Sequence, residues 1–137
     1  MKRAISTYLP LGVTVLFALA MGASGLGDLM HAPAISAGLH ALGYPPYLMT
    51  LLGVWKLLGV VALLAPGFPR IREWAYAGFA FELSGAAFSH FAAGDAANVA
   101  PALVLFALGM ASWRLRNGGW QIAPASAAQR RGDVATA

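Results

Sequence analysis

Apolar residues in this chain form four long runs, with neither the alternation of a strand nor the narrow stripe of a soluble amphipathic helix. The runs are Leu9 to Met30, Tyr47 to Leu64, Trp74 to Ala92 and Ala96 to Trp113. A helix of about 20 apolar residues crosses about 30 Å of hydrocarbon, so the pattern predicts four membrane-spanning helices over 9–30, 47–64, 74–92 and 96–113. The breaks between them carry the residues that stop helices. His31 to Pro46 mixes Pro, Gly, Ser and His and predicts a connecting loop with room for a short interfacial helix. Ala65-Pro66-Gly67-Phe68-Pro69 ends the second run, because neither proline supplies a backbone donor. Gly94 and Asp95 end the third, and Pro101 is tolerated in the first turns of the fourth.

Composition agrees with this reading. The chain has 137 residues, 59% hydrophobic and 10% charged, far from the roughly 45–50% and 25% of soluble domains. The fold class expected is therefore all-α, an integral membrane four-helix bundle over residues 1–116. Beyond it, 117–137 is rich in Ala, Gln and Arg and too poor in apolar residues to pack, which predicts a disordered tail. The basic start and apolar run at the N-terminus, with Ala18-Leu19-Ala20 as a cleavage-like triplet, also fit a signal peptide. The continuation to Met30 favours a span.

The charge distribution sets an orientation. Lys2 and Arg3 precede the first run, Arg70 and Arg72 lie between the second and third, and Arg114, Arg116, Arg130 and Arg131 follow the fourth. The other two connections hold no Lys or Arg, so both termini and the middle connection are expected to be cytoplasmic, in an inner (plasma) membrane protein. Tyr8, Trp74, Tyr76 and Trp113 on that side, with Tyr44 and Tyr47 on the other, suit aromatic belts. The net charge of +4 is not gathered on one aromatic-studded face, which argues against a nucleic-acid partner. The lipid bilayer is the expected partner. The absence of cysteine excludes disulfides and thiolate chemistry.

Two charges interrupt the apolar runs: Lys56 near the middle of the second and Glu82 near the middle of the third. A lone charge in a bilayer costs at least about 2.5–3.5 kcal/mol, so such residues face the bundle interior and find partners. The two lie some nine residues from the cytoplasmic ends of antiparallel neighbours, and the expectation is that they pair as an intramembrane polar centre. The pair serves either to fix helix register or to line a polar cavity. Gly78, Glu82, Gly85 and Ser89 recur at helical spacing, and Gly53 and Gly59 flank Lys56; such stripes mean close helix packing more often than a ligand groove. Trp55, Ser89 and His90 are candidate ligand contacts, with packing the commoner role for Trp55.

A second cluster is expected on the outer side, with Asp28 and His31 one helical turn apart, His40 in the loop, and His90 and Asp95 able to face them. Nitrogen and oxygen ligands in that pattern could hold a metal, but interfacial histidines are commonly surface residues and no metal is assigned. A two-histidine haem is disfavoured, since only His90 lies near a span. There is no phosphate loop, no Gly-x-Ser-x-Gly elbow and no His-Glu-x-x-His, so nothing marks an isolated enzyme.

Several stretches together resemble a known family: Leu42-Gly43-Tyr44-Pro45-Pro46-Tyr47, Leu52-Gly-Val-Trp-Lys-Leu-Leu-Gly59, Pro66-Gly-Phe-Pro-Arg70, Glu73-Trp-Ala-Tyr-Ala-Gly-Phe79, Gly85-Ala-Ala-Phe-Ser-His90 and Gly94-Asp95. In their order and wording they resemble the DoxX-like integral membrane proteins, over about Ile5 to Trp113. The resemblance implies a four-helix membrane bundle and carries Lys56, Glu82 and Ser89-His90 as matching positions. Asp28 departs from it, because the wider family often has a lysine near that place. The family takes its name from a small membrane subunit of an archaeal thiosulfate:quinone oxidoreductase. Two functions are thus expected: a non-catalytic subunit or small-ligand-binding module without a cofactor, or a subunit of a quinone-linked oxidoreductase in which Lys56 or His90 bonds a quinone carbonyl. An oxidoreductase partner or a homo-oligomer is the partner expectation beside the bilayer, and a transporter of four short helices would itself need an oligomer.

Overall fold

A computed structural model describes residues 2–116, and the tail predicted over 117–137 lies outside the described residues. Among them are five helices and no strand: α1 Lys2–Leu29, α2 Pro33–Ala41, α3 Tyr47–Leu64, α4 Pro69–Ala92 and α5 Ala96–Arg116. Three stretches are long and apolar enough to cross a membrane: Tyr8–Leu29 of α1, α3 and α5. α4 carries Arg70, Arg72, Glu73 and Glu82 and is the least apolar of the long helices.

The helix limits differ from the sequence expectation where end chemistry outweighs hydropathy. α1 begins at Lys2, because a helix can run on beyond its apolar segment. α4 begins at Pro69, five residues before the apolar run, because proline at the first helical position lacks only a donor that would have no partner there. The Arg70 and Arg72 expected in a loop are thus in the first turn of a helix. α5 likewise runs on to Arg116. The loop after α1 holds the nine-residue α2, opened in the same way by Pro33.

α1, α2 and α4 all end toward one end of the molecule, and all end alike. At α4 the Asp95 N–H donates to His90 O (2.9 Å) and the Gly94 N–H to Phe91 O (3.1 Å), with Gly94 at φ +74°. The same crossed pair closes α2 around Gly43, and closes α1 around His31, a non-glycine residue at φ +50°. These Schellman ends turn the chain sharply and place His31, Tyr44 and Asp95 over that end.

α1 packs against both α3 and α5, and α4 against both α5 and α3. The core lies between them: Phe17, Ala18 and Met21 of α1, Leu63 of α3, and Tyr76, Phe79 and Leu83 of α4. Phe17 and Phe79 meet edge to face, centroids 5.4 Å apart at 88°, a favoured aromatic geometry. Two glycines permit it, since a Cβ on Gly109 or Gly59 would stand 2.9 Å from the Phe17 ring or 2.6 Å from the Phe79 ring. α1 and α3 approach still more closely at Gly25 and Gly53, where a Cβ on Gly53 would meet Gly25 O at 2.9 Å.

A hydroxyl chain ties three helices near the Arg70 end. Thr14 Oγ1 donates to Pro10 O (2.8 Å), so Ser112 Oγ donates to Thr14 (2.8 Å) and Tyr76 OH to Ser112 (2.8 Å). Tyr76, expected in an interfacial belt, is buried here. Its ring fills core while its hydroxyl keeps a partner, as buried tyrosine requires. Trp113 instead donates its indole N–H to Glu73 (2.7 Å).

Candidate functional site

The close crossing at Gly25 and Gly53 decides what reaches Lys56. With no side chain between the backbones, Ser24 and Asp28, one turn apart on α1, lie directly over the lysine of α3. Lys56 Nζ donates to Asp28 Oδ2 at 2.7 Å and to Ser24 Oγ at 2.9 Å, and stands 3.0 Å from Glu82 Oε1 of α4. An ammonium has three protons, and three oxygens on two other helices surround this one. Side-chain exposure is 10% for Lys56, 3% for Asp28 and 19% for Glu82, so the acid on α1 is sealed and the acid on α4 is the accessible one. Charges this deep in an apolar molecule persist only when paired and hydrogen-bonded.

The set forms the floor of a cavity of about 330 Å³. Leu39 of α2, Leu48 and Leu52 of α3 and Phe81 of α4 supply apolar wall. The top is a strap: Tyr44, turned inward by the α2 end, lies 2.7 Å from Ser89 Oγ. Because Ser89 donates its own proton to Gly85 O (2.9 Å), the tyrosine is the donor in that bond. His90 also lines the cavity, with Nδ1 2.9 Å from Asp95 Oδ2. A carboxylate only accepts, so Nδ1 carries the hydrogen in that bond. Asn98, donating at 2.7 Å, and after it His90 hold the exposed Asp95 carboxyl below the usual carboxylate range.

A second cavity, about 420 Å³, lies along the outer side of α3 and α4. Trp55, Leu58 and Gly59 line it from α3, Trp74 and Gly78 from α4, and it shares Leu52, Phe81 and Glu82 with the inner cavity. Trp55 is therefore in the groove and not beside the Lys56 ammonium.

The structure thus brings Lys56, Glu82, Ser89 and His90 to one cavity. It corrects the outer cluster. Asp28 does not face His31 and Asp95 but turns inward to Lys56, because a helix-end carboxylate beside a buried ammonium gains more from that pair than from an exposed imidazole. His31 reaches Thr50 (3.0 Å), Asp95 serves His90 and Asn98, and His40 is exposed. Among the described residues no group of three His, Cys, Asp or Glu could hold a metal ion. The glycine stripe is corrected too: a Cβ on Gly78 or Gly85 would meet nothing within 4 Å, so these two residues open cavities and do not pack helices. Ser24 is the site residue that sequence reasoning missed, and Asp28 the one it assigned to the wrong cluster. Their spacing of one turn around Gly25 was the available signal.

The model of the DoxX-like family matches residues 12–112, which include every residue of both cavities. The chain belongs to the DoxX-like family. No curated protein and no solved structure matches this DoxX-like chain. The match takes in α1 together with Asp28, so the departure there lies inside the family's own span.

Proposed function

We propose that this DoxX-like protein is a four-span inner-membrane module that binds a small amphiphile in the cavity floored by Asp28, Lys56 and Glu82. It serves as a non-catalytic membrane subunit, with both termini on the cytoplasmic side. α4 is the fourth span. Its 24 residues rise about 36 Å at 1.5 Å each, it packs between two candidate spans, and its one mid-helix charge is paired. Lys and Arg gathered at the Arg70 end support the orientation.

One observation carries the binding reading: charged side chains from three helices converge on an apolar-walled space of ligand size, about 330 Å³, within the roughly 300–1,000 Å³ usual for small-molecule sites. A register device alone needs no such space. Gly85→Leu tests it, because Gly85 lines the cavity and a Cβ there would meet nothing within 4 Å. Native mass spectrometry of protein released from bilayers should find a small-molecule adduct on the wild type and none on the folded variant. Equal adducts on both, or none on either, would overturn the reading.

A further inference from the structure

The chemistry of the site narrows what it can bind. Lys56 donates to Ser24 and Asp28 and stands 3.0 Å from Glu82. The lysine is therefore already engaged by three oxygens of the protein. Other groups lining the inner cavity are likewise committed as donors. Tyr44 donates to Ser89, Ser89 to Gly85 O, and His90 Nδ1–H to Asp95. What faces the space, among the described residues, is mainly acceptor: the carboxylate of the more exposed Glu82 and the Tyr44 oxygen. The Ser24 hydroxyl is the exception. One ammonium and two carboxylates also leave a formal charge of −1 on the floor. An anion would meet repulsion there, and a carbonyl would find almost no donor. A ligand that donates hydrogen bonds and carries positive charge satisfies both terms.

The route and the apolar part follow from the outer groove. Glu82, the most exposed member of the set, lines both cavities, and only Leu52 and Phe81 are shared with it. Phe81, 78% exposed, lines both. The groove beyond is apolar, and Gly78 leaves open space in its wall. A chain lying there stays in contact with lipid on one side while its head reaches Glu82.

We propose that the two adjoining cavities take a lipid-soluble primary amine, its ammonium held by Glu82 and its hydrocarbon chain laid in the α3/α4 groove. This rests on the binding reading above and adds the ligand's class and its entry from the bilayer. It also bears on the quinone alternative: a quinone carbonyl is an acceptor, and to accept from Lys56 it would have to displace one of the carboxylates or Ser24.

The test uses full-length protein in phosphatidylcholine nanodiscs, titrated calorimetrically with dodecylamine, dodecanol and dodecanoate against empty nanodiscs. The amine should bind about tenfold or more tighter than either other probe, a difference of about 1.4 kcal/mol. Glu82→Gln should remove that preference. If Glu82→Gln does not fold, Gly78→Leu decides: Gly78 lines the groove and a Cβ there would meet nothing within 4 Å, and amine affinity should fall about tenfold while the protein still unfolds cooperatively. Unchanged affinity in that variant overturns the groove as the chain's site. Equal binding of the three probes overturns the amine class while the binding reading stands, and no binding of any probe removes both. Adding phosphatidylethanolamine to the nanodiscs separates two sources of the same head group. Competition assigns the amine to a membrane lipid, and its absence assigns it to a free amine.

Discussion

At the scale of single residues, the behaviour of Lys56 depends on what surrounds it more than on its depth. Breaking a buried ion pair by removing one partner typically costs about 3–5 kcal/mol, because the other charge is left behind. The two acids here are not equivalent. Asp28 is sealed at 3% exposure and Glu82 opens to the groove at 19%, so water can replace the second but not the first. Asp28→Asn should therefore destabilise the protein by about 2 kcal/mol or more, and Glu82→Gln by less, in thermal unfolding followed by circular dichroism. The reverse order would contradict the placement of α1. Asp95 gives a separate expectation. Its carboxyl is held below the ordinary range by Asn98 and His90, so its contribution is present above the unfolded value and lost as pH falls through the lower folded one. Unfolding temperature should drop below about pH 4, and Asp95→Asn should flatten that acid limb. Lys56 and Glu82 were legible in the sequence because a charge inside an apolar run stands out. Asp28 stood out equally, but at the end of its run beside His31 it reads as an interfacial residue. Only the three-dimensional crossing of α1 and α3 tells the two surroundings apart.

At the scale of elements, backbone approach matters more than side-chain pattern. The number and order of the long helices could be read from hydropathy, since the solvent they sit in selects them. Their ends could not, because Pro69 opens α4 through its missing donor and the crossed bonds at Gly43 and Gly94 close α2 and α4 through a left-handed turn. Nor could the uses of glycine. Gly53 and Gly78 look alike along the chain, yet a Cβ on the first would meet Leu29 at 2.8 Å and one on the second would meet open space. Gly53→Ala should thus push α3 off α1 and cost about 1–3 kcal/mol, the range for overpacking. Gly78→Ala should cost little, since its Cβ adds no clash. Chemical denaturation of both variants in detergent measures the contrast, and equal losses would contradict the close crossing.

At the scale of the whole molecule, two polar ties stand at different levels. Near the Arg70 end, Tyr76, Ser112 and Thr14 join α4, α5 and α1. Toward the other end, Lys56 of α3 joins α1 and α4. Apolar packing supplies no hydrophobic drive between helices already in lipid, so such ties and close glycine contacts decide which helices associate. The first tie is satisfied within the protein and brings no charged group together with another. The second floors a cavity, and that difference is why function is placed there. Its central claim is that α1 supplies the acid that completes the Lys56 site, and a double-mutant cycle tests this most directly. Unfolding free energies of the wild type, Asp28→Asn, Lys56→Met and the double variant are measured in one lipid mixture. The structure predicts a coupling between the two residues of at least about 1 kcal/mol, the double variant losing less than the two single variants added together. Strict additivity would place Asp28 and Lys56 apart and contradict the site as described.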